Sequence, residues 1–231
     1  MSIELLKFSN EELASVANFR TDRYYWLNEY RWRLLMQTGI PIAGSTIFEP
    51  GAGIGDQTEF LLKSGASKVI VSEGREINLE IIRKRFDGNP RVVPALGDLE
   101  ECLDRPEFQV HADLVFMWGV YYHIYDSMPE FLILKKLARI APVVVLDYQE
   151  SLTGADYIES YSYENTSASI SHQSWRQTRS SMVAGVRSAF GYAYFPIEQM
   201  DWNDPSCINT PRRIIIGSKL PLNYSGIIEA K

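Results

Sequence analysis

The 231-residue sequence predicts an α/β protein built on a doubly wound sheet of seven strands, mostly parallel, with one antiparallel strand near the C-terminus. Three observations predict it. Short runs of Val, Ile, Leu and Phe alternate with helical segments, and strands apolar throughout belong to a parallel sheet covered on both faces. A glycine-rich turn joins the first strand to the first helix of the domain. The last two strand-like runs have only a loop between them, as in a hairpin.

The chain divides into a helical segment over 1–40 and one domain over 41–231. In the first part Val16, Phe19, Leu27, Tyr30 and Leu34 fall on one helical face. The segment is dense in rings (Phe19, Tyr24, Tyr25, Trp26, Tyr30, Trp32) and arginines (Arg20, Arg23, Arg31, Arg33). Arginine stems can cover such rings. The domain opens with a strand over 45–49, a helix over 56–64 ended by Gly65, and a strand over 68–72. A helix over 76–86 turns Ile77, Ile81, Ile82 and Phe86 inward. Strands follow over 91–96 and 113–118. The next helix spans 127–140, with Ser127 as N-cap and Pro129 in its first turn. A fifth strand covers 142–146. From 151 to about 175 the chain is rich in Ser, Tyr, Thr and Asn, too long for a plain connection, so it reads as a lid or substrate-binding insertion. A helix over 178–190 and strands over 192–197 and 212–217 complete the domain.

Composition narrows the function. Lys and Arg total 23 against 29 Asp and Glu, a formal charge of −6, which disfavours a nucleic-acid groove. No stretch approaches the ~18 apolar residues of a membrane span, and Met1–Asn10 does not resemble a signal peptide; a cytoplasmic protein is expected. Two cysteines and three scattered histidines make no metal site.

The strongest chemical signal is Glu49-Pro50-Gly51-Ala52-Gly53-Ile54-Gly55. Glycines at a strand-to-helix turn let the backbone approach a ligand where a Cβ would block it. The spacing is Gly-x-Gly-x-Gly, not the Gly-x-Gly-x-x-Gly of dinucleotide sites. Glu49 would repel a pyrophosphate and suits a ligand bearing an ammonium group. Glu73, with Gly74 and Arg75 after it, ends the second strand, where an acid accepts from ribose hydroxyls. Asp98, beside Leu99, could accept from an adenine amino group, and Trp118-Gly119 forms an apolar wall with a gap. Each acid alone also fits a helix cap; the ordered set at successive strand ends is what indicates a ligand.

On these residues the sequence resembles the class I S-adenosylmethionine (SAM)-dependent methyltransferases, over roughly 46–146. Phe116 to Ile124, reading FMWGVYYHI, is similar to the GVLYHL pattern of a subgroup that includes tRNA wobble-uridine and sugar- or polysaccharide-pathway methyltransferases. Val145-Leu146-Asp147 and Ser174 to Arg179 resemble it too. Two departures are Glu49, where aspartate is commoner, and Tyr148, where the subgroup often has threonine. The resemblance implies a Rossmann-like fold and SAM as cofactor.

For an alcohol acceptor a base must take the hydroxyl proton. His123 is the first candidate, since its ordinary pKa of about 6.5 suits the task, and His172 is the second. Asp147 and Glu150 could orient a histidine or hold a sugar hydroxyl. Tyr122, Tyr163 and Trp175 offer stacking and hydrogen bonding to a hydroxyl-rich acceptor. Arg179 and Arg176 could clamp an acceptor phosphate or carboxylate. Each of these residues also fits a cap, a core brace or a solvated surface. The expected activity is methyl transfer to a hydroxyl of a small molecule or glycan. The alternatives are RNA modification, supported by the arginine- and aromatic-rich N-terminal helix, N-methylation of a small amine, and a non-catalytic SAM- or nucleotide-binding protein. That helix offers a surface either to a second copy of the chain, as in a homodimer, or to its own sheet.

Overall fold

The computed structural model describes residues 8–105, 111–124, 126, 131–151, 153–154, 158–161, 173–198 and 212–230. Where one N-terminal helical segment was expected, two helices form. α1 (Asn10–Asn18) is capped by Ser9, whose hydroxyl accepts from Glu12 N while the Glu12 carboxylate accepts from Ser9 N. α2 (Asp22–Thr38) starts afresh because Thr21 accepts from Tyr24 N, and it ends on left-handed Gly39.

The domain then alternates: β1 (Thr46–Pro50), α3 (Asp56–Lys63), β2 (Lys68–Glu73), α4 (Glu76–Arg85), β3 (Val92–Leu96), α5 (Leu99–Asp104), β4 (Leu114–Met117), α6 (Leu132–Ile140), β5 (Val143–Glu150), β6 (Ile158–Tyr161), β7 (Gln173–Gln177), α7 (Arg179–Phe190), β8 (Tyr192–Pro196), β9 (Arg212–Ser218) and β10 (Ile227–Glu229). A short 3-10 helix (Tyr121–His123) follows β4. The sheet has ten strands rather than seven, in the order β10-β8-β9-β5-β4-β1-β2-β3 with β6 and β7 to the side. The seven expected strands are β1–β5, β8 and β9, and β9 is the expected antiparallel strand between β5 and β8. The additions are β10, antiparallel to β8, and a β6–β7 hairpin inside the serine- and tyrosine-rich insertion. β10 escapes sequence reading because it is three residues long with only Ile227 buried.

Alternation along β5 divides the core. Val144, Leu146 and Tyr148 join the cluster under α5, α6 and α7, while Val145 faces the cluster under α2, α3 and α4. β9 pairs one edge of β5 from Val143 to Gln149. The other edge pairs β4 over Val143–Leu146 and then β7 over Gln149–Glu150. β7 therefore takes the lane that β4 vacates at its carboxyl end.

α6 begins at Leu132, not at 127. Ser127 and Pro129 lie outside the described residues. Phe131 precedes the helix in a left-handed conformation without a side-chain cap. The buried Asp126 does the capping instead, accepting from Ile133 N at 3.2 Å and Leu134 N at 3.1 Å.

Candidate functional site

The glycine turn after β1 adopts left-handed conformations at Gly51, Gly53 and Gly55. At Gly51 a Cβ would lie 2.4 Å from Val120 Cγ2, so the turn runs flush against the segment after β4. Gly51 N–H and Ala52 N–H donate to Ser72 O, which ties the turn to β2. Phe19, at the C-terminus of α1, lies over Gly53, and Arg20 holds Asp56 through both carboxylate oxygens. The N-terminal segment thus packs on its own domain around the glycine turn.

Glu49, at the end of β1, is 2% exposed. Its Oε2 accepts from Thr58 Oγ1 at 2.7 Å, while Oε1 is buried with no partner among the described residues. Burial pushes its pKa up to about 8, with the Thr58 hydrogen bond opposing and Asp56 and Glu73 adding to the rise. Glu73, at the end of β2, accepts from Gly53 N at 2.8 Å and Arg75 N at 2.9 Å. Burial raises its pKa as well, against those two amide hydrogen bonds. Through Gly53 and Gly74-Arg75, Glu73 is fastened to the turn that Glu49 underlies.

Asp98 is exposed and caps α5, accepting from Glu101 N at 2.8 Å. That cap employs one of its two oxygens. Leu99 packs into the core. The helix after Asp98 was not foreseen, because its six residues show too little of a period.

At the end of β4, Trp118 is buried with Nε1 unpartnered among the described residues, and its ring sits 4.5 Å from Phe116. Gly119 N–H donates to Asp147 Oδ1 at 2.7 Å. Asp147 Oδ2 accepts from Arg31 of α2, also at 2.7 Å, with both side chains buried. The two oxygens of Asp147, expected to orient a histidine or hold a sugar hydroxyl, hold Arg31 and the Gly119 amide. Arg31 also lies 5.7 Å over the Trp118 ring.

Tyr122 and His123 share the 3-10 helix, with ring centroids 4.3 Å apart. The Tyr122 hydroxyl lies on the open side of Gly119, and the Arg212 guanidinium lies 4.5 Å over the Tyr122 ring. Tyr121 turns the other way, into the core, where its hydroxyl donates to Asp126 at 3.2 Å. Glu150 is paired to Arg213 at 2.7 Å. Arg179 does not join this group: it stacks 4.3 Å over Phe195 of β8. Trp175 stands on β7, and Tyr163 and His172 lie outside the described residues.

The structure thus gathers Glu49, the glycine turn, Glu73, Trp118, Gly119, Asp147, Tyr122 and His123 around the carboxyl ends of β1, β2, β4 and β5, where open α/β sheets bind ligands. It adds Arg31 and Arg212, which no spacing marked. Among the described residues no group of His, Cys, Asp or Glu is placed to hold a metal, and no helix is long and apolar enough to cross a membrane.

No family model and no curated protein matches the sequence. Solved structures match the fold. The N-terminal domain of EvdMO1 with SAH (the demethylated product of SAM) bound superposes with a TM-score of 0.64 at 21% identity, over 86% of this chain and 84% of that one. The same domain crystallised in the presence of SAH and D-fucose gives 0.62 at 18%, over 94% and 89%. Magnesium protoporphyrin IX methyltransferase from Synechocystis PCC 6803 with bound SAM gives 0.58 at 12%, over 91% and 86%. At these identities the likeness is one of fold.

Proposed function

We propose that this chain is a SAM-dependent methyltransferase acting on a hydroxyl of a small molecule or glycan. The observation that carries the cofactor reading is Glu49: a buried carboxyl with one unpartnered oxygen, beside a turn shaped for close backbone approach. A buried acid so placed calls for a cation, and the amino group of SAM is one. Glu73 would take the ribose hydroxyls on its remaining lone pairs, since its amide donors hold both oxygens in position. The exposed carboxylate of Asp98 and the wall of Trp118 and Gly119 would complete the cradle. The bound cofactor would supply a methyl already activated by its positive sulfur.

This chain then has to align the acceptor and take its proton. His123 sits after β4, next to Tyr122, and is assigned the base: its imidazole would take the acceptor hydroxyl proton as the methyl passes from the sulfonium sulfur to the acceptor oxygen, leaving the neutral thioether. Trp175, partly exposed on β7, would provide a ring face for a sugar. The fold neighbour crystallised in the presence of D-fucose supports a hydroxyl-bearing acceptor. The RNA reading loses ground because Arg20 and Arg31, two arginines of the segment that suggested it, are committed inward to Asp56 and Asp147.

The test has two parts. Calorimetry with SAH should show uptake; no uptake ends the cofactor reading. Labelled SAM incubated with fractionated extract should then transfer its methyl to a low-molecular-weight or glycan fraction. Label that enters only RNA would overturn the acceptor reading.

A further inference from the structure

Glu49, Ala52 and Glu73 are buried, so a ligand reaching them from solvent must pass a covering element. On the Gly53 side that cover is Phe19. Its Cε1 lies 3.0 Å from the position a Gly53 Cβ would take, over the residue whose amide donates to Glu73. Phe19 follows α1, a helix of nine residues, and one that short is marginal in water by itself. Docking on the domain supplies the rest of its stability. Val16 packs with Ile54 and Ile81 in a small cluster apart from the two main cores. Ser15 Oγ donates to Asn78 Oδ1 at 2.7 Å, and Lys84 Nζ donates to the two oxygens of Glu12 at 2.6 and 2.7 Å. Ile54 belongs to the glycine turn itself, so the docked helix rests on the loop it covers.

The junction with α2 can pivot. α2 starts on its own cap at Thr21, and Leu27, Leu34 and Leu35 anchor it in a main core, so α1 can leave without disturbing α2. Arg20, in the break between the helices, donates to Asp56 at 2.5 and 2.8 Å. Asp56 also accepts from Arg85 at 2.8 Å. Withdrawing Arg20 therefore leaves that buried carboxylate paired, and the clasp releases without stranding a charge. A segment joined by one small cluster and a few polar contacts opens at a lower free energy than global unfolding. We propose that α1, Phe19 and Arg20 form a strap over the cofactor cradle, clasped by Arg20 on Asp56, which opens to admit SAM and closes over it. This role deepens the methyltransferase reading and rests on it.

The experiment combines hydrogen exchange with stopped-flow tryptophan fluorescence on the full chain, with SAH as the probe. Without SAH the amides of α1 should exchange about tenfold or more faster than those of β1 and β5, and saturating SAH should slow them about tenfold or more. When opening precedes entry, the association rate scales with the open fraction. One charge-assisted contact is worth about tenfold or more in an equilibrium. Arg20→Gln should therefore raise the SAH association and dissociation rates together, about tenfold each. Glu12→Gln, at the opposite end of α1 where it holds Lys84, should raise both rates in the same direction. A residue that only touched the ligand would change dissociation alone. Exchange of α1 no faster than that of the strands, protection of 49–55 by SAH without protection of α1, or an association rate unmoved in both variants would overturn the strap. The wild-type exchange arms decide even if the variants fail to fold. Absence of SAH uptake by calorimetry is the separate failure of the cofactor reading, and it removes the strap's role as well.

Discussion

Arg31 donates to Asp147 Oδ2 at 2.7 Å across 116 residues of sequence, and both side chains are buried. The same carboxylate accepts from Gly119 N, so one residue of β5 holds the N-terminal segment and the end of β4 together. Removing one partner of a buried pair strands a charge and costs about 3–5 kcal/mol. Asp147→Ala should lower Tm by roughly 10 °C or more in a domain of this size. The double variant Arg31→Met with Asp147→Leu should recover most of the loss. A single variant melting within about 2 °C of wild type would show the pair to be dispensable.

Glu49 makes ligand binding a proton-release event. A carboxyl raised from 4.5 to about 8 holds its proton more tightly in the folded chain than in the unfolded one. The ligand-free protein therefore loses stability as pH rises through that window, and is most favoured by this group below it. A bound ammonium favours the ionised form, so SAH affinity should rise about tenfold per pH unit from pH 6 towards pH 8. Calorimetry in buffers of different ionisation enthalpy should detect the released proton at pH 7. Glu49→Gln should abolish both the proton release and this part of the stability slope.

Gly51 faces two obstacles to substitution: its φ of +65° and the 2.4 Å approach to Val120 Cγ2. Gly51→Ala should cost about 1–3 kcal/mol and weaken SAH uptake. Adding Val120→Ala relieves the collision but not the backbone strain, so it should rescue the variant in part. Full rescue would show that the left-handed conformation is not needed.

His123→Gln should leave SAH affinity within about twofold of wild type and lower turnover about 100-fold or more, the usual worth of a general base. Turnover close to wild type would pass the proton to another group.

The parts of this site that the sequence discloses are those written locally. The Glu49-to-Gly55 turn needs its glycines at fixed spacing, and Glu73 closes an unbroken apolar strand, so both are visible in a few residues. Arg31 and Arg212 are different. Each gains its role from a partner on a distant element, Asp147 and Tyr122, and nothing in their own neighbourhoods marks them among the other arginines. Asp98 was legible as a strand-end acid, but its cap on α5 was not, because that helix is barely a turn and a half long. The start of α6 at Leu132 was not legible for a related reason: its first amides are held by Asp126, a residue outside the helix. In the insertion the β6–β7 hairpin was hidden because hydroxyl-rich alternation serves loops and strands alike.

β7 fills the lane beyond β4 and hydrogen-bonds to β5 at Gln149 and Glu150. The segment that would shape acceptor choice is consequently stitched into the scaffold by backbone rungs. Re-engineering specificity by grafting 151–177 from another protein should work only when the graft restores those rungs in register. A slip of one residue would carry Arg176 and Gln177 each to the other face and break the pairing of Arg176 with Gln149 and of Gln177 with Glu150.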